Sequence, residues 1–223
     1  MDTVDRMKQA VQGTASAIGK KMSGTGGEQP THGRVDAAIV DGITESWAAI
    51  PKKVAGKMIE RYGLPNEATP SRLIWFDTGL WKRTIVYRDE IPHNFPKPHT
   101  DVLEQFVDYR VPPEKFSDLA RYDGSVIVER TKGEVSARCD MEEMNFLALN
   151  LMHDIVTGRR TVEEARKFYA ETAAAFMTGQ SSPYTDALQF AARSDDAADP
   201  DKTTMAPVMK GMAEGLKNAT GPD

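Results

Sequence analysis

The sequence predicts an α+β domain, in which a mostly antiparallel sheet of about four to five strands carries helices packed on one face. Short runs rich in β-branched and aromatic residues occupy the middle of the chain. Segments with apolar residues at helical spacing lie on both sides of them. The clearest pairs of runs are separated by short turns, which favour antiparallel pairing over long crossovers.

Residues 35–179 are predicted to form the single globular domain. Its first helical pattern meets Pro51, which must either kink that helix or open a new one because proline lacks an N–H. Its last two helical patterns are joined by the short segment from Gly158 to Thr161, which implies a C-terminal antiparallel helical hairpin. Thr161 and Glu164 have the spacing of a capping box at the start of the last helix.

The strands are predicted between these helices. Residues 73–76 and 83–88 are expected to pair as one hairpin, and residues 125–130 and 134–139 as a second. Residues 102–111 fit either a strand or a helix, and the two prolines that follow end the element in both cases.

Both termini are predicted to be flexible. Residues 1–34 are expected to be an amphipathic helix followed by a glycine-rich linker. Residues 180–223 are expected to be a largely disordered acidic tail, because small and polar residues replace the apolar pattern there. A weak methionine-rich helix around residues 205–216 is the expected exception in this tail.

The apolar stripe of residues 3–22 predicts a partner. A helix on a flexible leash is a common docking element, and this one resembles, in pattern, the short helical tags that deliver enzymes into bacterial protein shells. Self-association through the same residues, or folding back on the domain, would bury the same stripe. The stripe consists of Val4, Met7, Val11, Ile18 and Met22.

Composition and charge argue against a transmembrane protein and a nucleic-acid-binding protein. The chain has 223 residues, of which 40% are hydrophobic and 27% charged, as in ordinary folded proteins. No apolar run approaches the roughly 20 residues of a transmembrane segment, so none is expected. A net charge of −5 argues against nucleic-acid binding, which needs a positive surface. The charged N-terminus and the single cysteine, Cys139, favour a cytoplasmic protein.

The segment 89–101 is the best candidate for a functional site. It is polar, contains three prolines that restrict its backbone, and holds His93 and His99 among carboxylates. Imidazole nitrogens with carboxylate oxygens suit a divalent metal ion, and histidine also serves as a general acid or base. We therefore predict His93, His99 and Asp101 as metal ligands or, alternatively, as catalytic residues. The alternative without chemistry is an ordered connector whose polar groups are solvated.

Three further residues are predicted to bind a ligand near this segment. Arg88 can pair with an anionic substrate, while Trp81 and Phe95 lie in predicted connections where aromatic rings line pockets. The function that the sequence favours is therefore binding of a small molecule or a metal ion at residues 89–101, with enzymatic activity left open. The alternative is an interaction or scaffold module that docks onto a larger assembly through its terminal amphipathic helices. That alternative predicts that deleting residues 1–34 leaves the core folded and abolishes assembly.

Overall fold

The computed structural model describes residues 2–192 and 199–205 and has an α+β fold. The helices are α1 (Thr3–Ser23), α2 (Ala37–Thr44), α3 (Ala49–Tyr62), α4 (Phe116–Tyr122), α5 (Glu142–Val156), α6 (Val162–Met177) and α7 (Pro183–Asp186). The strands are β1 (Glu67–Thr69), β2 (Arg72–Thr78), β3 (Trp81–His93), β4 (His99–Asp108), β5 (Val126–Glu129) and β6 (Glu134–Cys139). Within the described ranges, no helix is both long and apolar enough to cross a membrane.

The strands form one antiparallel sheet in the order β1-β2-β3-β4-β6-β5. The sheet has six strands, so the prediction of four to five strands was too low. The missed strand is β1, which is only three residues long and pairs with β2 alone. A segment so short carries no alternating pattern. The ambiguous residues 102–108 are strand, and β4 is paired on both sides, with β3 and with β6.

The segment 89–101 is mostly strand, which corrects its prediction as a loop. Strand β3 runs to His93 and β4 starts at His99, so only residues 94–98 connect them. His93 pairs directly with His99 across this hairpin, after a bulge in β3 between Val86 and Ile91. The prolines concealed the hairpin in the sequence, because proline donates no ladder hydrogen bond and is read as a break in a strand.

The larger helices pack on one face of the sheet, as predicted. Alternation along β4 places Leu103, Gln105 and Val107 on that face. There α3 packs with β2, β3 and β4, while α5 packs with β6, β4 and β5. Pro51 lies in the first turn of α3, so it opens a new helix rather than kinking one.

The C-terminal helical hairpin is confirmed, and helix α7 follows it at Pro183–Asp186. Thr161 and Glu164 form the expected capping box at the start of α6. Helix α7 then packs on α5. The buried amide of Asn150 donates to the carbonyl oxygens of Tyr184 and Ala187, at 3.0 and 2.8 Å, and so holds this segment. The sequence did not predict this contact, because the segment takes part in it through backbone carbonyl oxygens, which every residue has. The predicted methionine-rich helix falls almost entirely on residues 206–216, outside the described residues.

The N-terminal helix α1 forms as predicted, and none of its residues is buried. Its apolar stripe is largely exposed, so docking or self-association through residues 3–22 stays a prediction. The linker that follows α1 contacts the domain through two of its residues, Glu28 and Gly33. Glu28 forms an ion pair with Arg83, and the carbonyl oxygen of Gly33 accepts a hydrogen bond from Asn66 at 2.9 Å.

Candidate metal centre

The β3–β4 hairpin brings the predicted ligands together at its tip. The rings of His93 and His99 have their centroids 5.0 Å apart. Asp101 follows His99 by two residues, and alternation along β4 therefore places both side chains on the same side. The turn between α4 and β5 adds Asp123 and Ser125 to the cluster.

Asp101 lies at the centre of this cluster, and its side chain is buried. Its Oδ2 accepts a short hydrogen bond from the hydroxyl of Ser125. Its Oδ1 lies 3.3 Å from His99 Nε2 and 3.6 Å from His93 Nδ1. Neither nitrogen meets Oδ1 in full hydrogen-bond geometry, so this buried oxygen has no hydrogen-bond partner. A buried carboxylate oxygen in that condition is costly unless a positive charge lies next to it.

The orientation of the His99 ring is fixed by the backbone. Its Nδ1 lies 2.8 Å from the carbonyl oxygen of Lys97. A carbonyl oxygen only accepts, so Nδ1 carries a hydrogen and Nε2 is the nitrogen that faces Asp101. This nitrogen lies 3.3 Å from Asp101 Oδ1 without hydrogen-bond geometry between the two atoms. A cation beside both atoms would therefore lower the cost of burying this oxygen.

The pKa of His99 is shifted by the groups around its ring. The interaction with the nearby Asp101 carboxylate, followed by the contact with Cys139, raises the pKa of His99 from 6.5 to about 11. This raised pKa favours the protonated, cationic form of the ring. A general base works best with a pKa near the operating pH, and the catalytic role of His93, His99 and Asp101 stays a prediction.

His93 lies between two groups of the α4–β5 turn. Its Nδ1 is 3.2 Å from Ser125 Oγ, and its Nε2 is 3.5 Å from Asp123 Oδ1. The same Asp123 oxygen accepts a hydrogen bond of 2.9 Å from the backbone N–H of Ser125, which fixes the turn. Burial raises the pKa of Asp123 above its ordinary value. The cluster therefore contains a second buried carboxylate that gains from a nearby cation.

Sequence reasoning missed Asp123 and Ser125 because they are distant in the chain from residues 89–101. Their only local signal was the Asp-Gly-Ser turn before β5, which favours a turn for backbone reasons alone. Cys139, at the end of β6, also contacts the cluster through His99. Burial raises the pKa of this thiol, so it stays protonated and is a poor nucleophile.

The structure places the three predicted ligand-binding residues in different surroundings. Trp81 is 1% exposed, stacks on Phe146 and donates its indole N–H to a buried glutamate of α5. Arg88 is half-exposed and forms an ion pair with the neighbouring Asp89. A ligand-binding role for these residues stays a prediction. Phe95 lies in the connection between β3 and β4, and its ring is covered by Arg166, whose guanidinium carbon is 3.9 Å from the ring centroid.

Comparison with known proteins adds no functional assignment to this geometry. No protein-family model, no curated protein and no solved structure matches the chain. The chemistry of the site therefore has to be inferred from the cluster itself.

Proposed function

We propose that the protein binds a divalent transition-metal ion, with Zn²⁺ as the first candidate, through His93, His99 and Asp101. The observation that carries this proposal is Asp101 Oδ1, a buried oxygen without a hydrogen bond that lies within 3.6 Å of both imidazoles. Two imidazole nitrogens and one carboxylate oxygen are a ligand set that zinc and its neighbours in the first transition row accept.

The spacing of the three ligand atoms supports a metal of this size. Zinc bonds to nitrogen and oxygen of about 2.0–2.2 Å imply ligand atoms about 3.3–3.6 Å apart in a tetrahedron. Asp101 Oδ1 has both histidine nitrogens at this spacing, at 3.3 and 3.6 Å. All three ligand atoms lie within 4.8 Å of one another, so small side-chain rotations close the remaining gap.

The groups behind the ligands support the same proposal. Metal-binding histidines usually donate their other ring N–H to a carbonyl or carboxylate, which fixes the ring. The carbonyl oxygen of Lys97 accepts a hydrogen bond from His99 Nδ1. Asp123 lies beside Nε2 of His93, the nitrogen that does not face Asp101. The carboxylates of Asp101 and Asp123 would together balance the charge of a divalent ion.

The cluster favours an enclosed site. The side chains of His93, His99 and Asp101 are 18%, 7% and 5% exposed. Three protein ligands leave a fourth tetrahedral position, which catalytic zinc sites use for water. The low exposure favours an ion that stabilises the hairpin tip, and we propose no reaction for it.

Zinc titration of chelator-treated protein tests the proposal. We expect one equivalent to bind, and we expect His93→Ala or His99→Ala to weaken binding by about 100-fold or more, since ligands matter at least as much as the groups behind them. His32→Ala is the matched control, because His32 is exposed and remote in sequence from the hairpin. Equal zinc affinity in His99→Ala and the wild type would exclude this site.

A further inference from the structure

A second site candidate lies in a cleft between α3 and the start of α5. The cleft has a volume of about 390 Å³, which is within the range of small-molecule sites. Its apolar lining residues are Val54, Met58, Leu103 and Met141. Its ionisable lining residues are Lys57, Glu60, Arg61, Asp140, Glu142 and Glu143. The lining therefore combines an apolar wall with an excess of carboxylates over cationic groups.

Glu142 is the one carboxylate of this cleft that is deeply buried, with 1% of the residue exposed. Its Oε1 accepts hydrogen bonds from Trp81 Nε1 at 2.6 Å and Gln105 Nε2 at 2.7 Å, and a short one from the hydroxyl of Tyr62. Neutral donors from three different elements thus fix the orientation of this carboxylate and stabilise its negative charge.

The second carboxylate oxygen of Glu142, Oε2, has fewer partners than Oε1. No donor reaches Oε2 in full hydrogen-bond geometry, and its counter-charge is the guanidinium of Arg61. The side chain of Arg61 is 47% exposed, whereas that of Glu142 is 1% exposed. A half-exposed arginine exchanges readily between its partner and water, because ion pairs with solvent access gain little free energy.

We propose that this cleft binds a small aliphatic cation, an ammonium or guanidinium compound, whose charged group replaces Arg61 at Glu142 Oε2. The carbon chain of the ligand would lie against Val54, Met58 and Leu103. With Arg61 displaced, Lys57 is the remaining cationic group among the lining residues, against four carboxylates. That balance selects cations over anions. The proposal is independent of the metal centre, since it uses none of its ligands.

Nuclear magnetic resonance with pentylamine and butylguanidine as probes tests this proposal. The indole N–H of Trp81 donates to Glu142, so its resonance reports on the cleft. The indole N–H of Trp47 donates to the carbonyl oxygen of Pro70 and serves as the internal control. We expect both probes to shift the Trp81 resonance saturably and to leave Trp47 unchanged. An equal shift with 1-pentanol, the neutral analogue, would overturn the proposal.

Arg61→Gln separates a ligand site from a merely structural ion pair. Removing the competing guanidinium should tighten pentylamine binding by about threefold or more, because the binding-competent state no longer requires displacement of Arg61. Glu142→Gln keeps the shape and an acceptor for Trp81 but loses the charge, and should abolish binding while the Trp47 resonance stays in place. Absence of a saturable Trp81 shift in both the wild type and Arg61→Gln would overturn the proposal.

Discussion

Replacing Glu142 with leucine is expected to destabilise the protein by about 3 kcal/mol or more, because several hydrogen-bond donors around it lose their shared acceptor. The substitution leaves the hydroxyl of Tyr62, the indole N–H of Trp81 and the amide of Gln105 without their acceptor. Each buried donor without a partner costs about 1–3 kcal/mol. Urea unfolding followed by tryptophan fluorescence measures the loss.

Glu143→Leu is the matched control for that change. Glu143 is the next residue, is partly exposed, and lies 3.8 Å from the same Arg61. Its replacement should change the free energy of unfolding by no more than about 1 kcal/mol, the usual worth of a charge in the first turn of a helix. A loss in Glu142→Leu as small as in Glu143→Leu would contradict the central structural role given to Glu142.

His99→Gln is expected to destabilise the metal-free protein most at low pH. The folded state raises the pKa of His99 from 6.5 to about 11, with the contact to Asp101 as the largest cause. A group whose folded pKa is raised stabilises the protein fully below its unfolded pKa, and this contribution is lost as the pH rises through the folded pKa. The free energy of unfolding of His99→Gln should be about 3 kcal/mol below that of the wild type at pH 6, as for other broken buried ion pairs. This difference should decrease as the pH rises from 6.5 toward 11.

Urea unfolding at pH 6 and pH 10 in the presence of a chelator measures this dependence. His32→Gln is the control, because an exposed histidine should have little effect at either pH. A loss for His99→Gln that stays constant or grows between the two pH values would show that the His99–Asp101 pair does not hold the proton assigned to it.

The parts of the fold that were predicted correctly depend on local signals. The β5–β6 hairpin follows from strict alternation in β6 around a short glycine turn. The capping box of Thr161 and Glu164 lies within four consecutive residues. In both cases the residues that stabilise the element are also the residues that define its pattern, so the sequence alone was sufficient.

The parts that were missed depend on residues far apart in the chain. Strand β1 exists because β2 offers it an edge, and its own three residues carry no strand pattern. The two histidines that pair, His93 and His99, are close in the sequence, but the prolines around them indicated a loop rather than a hairpin. Asp123 and Ser125 reach the cluster only through the packing of the α4–β5 turn. For the same reason, the prediction of three metal ligands from the sequence did not include Asp123 and Ser125.

Zinc K-edge X-ray absorption of protein loaded with one equivalent of Zn²⁺ tests the central claim most directly. Binding at the hairpin tip predicts nitrogen and oxygen ligands at about 2.0–2.1 Å, with no sulfur at about 2.3 Å. It also predicts outer scattering from two imidazole rings, those of His93 and His99. A sulfur ligand from Cys139, scattering from fewer than two imidazoles, or an unchanged spectrum in His99→Ala would contradict the claim.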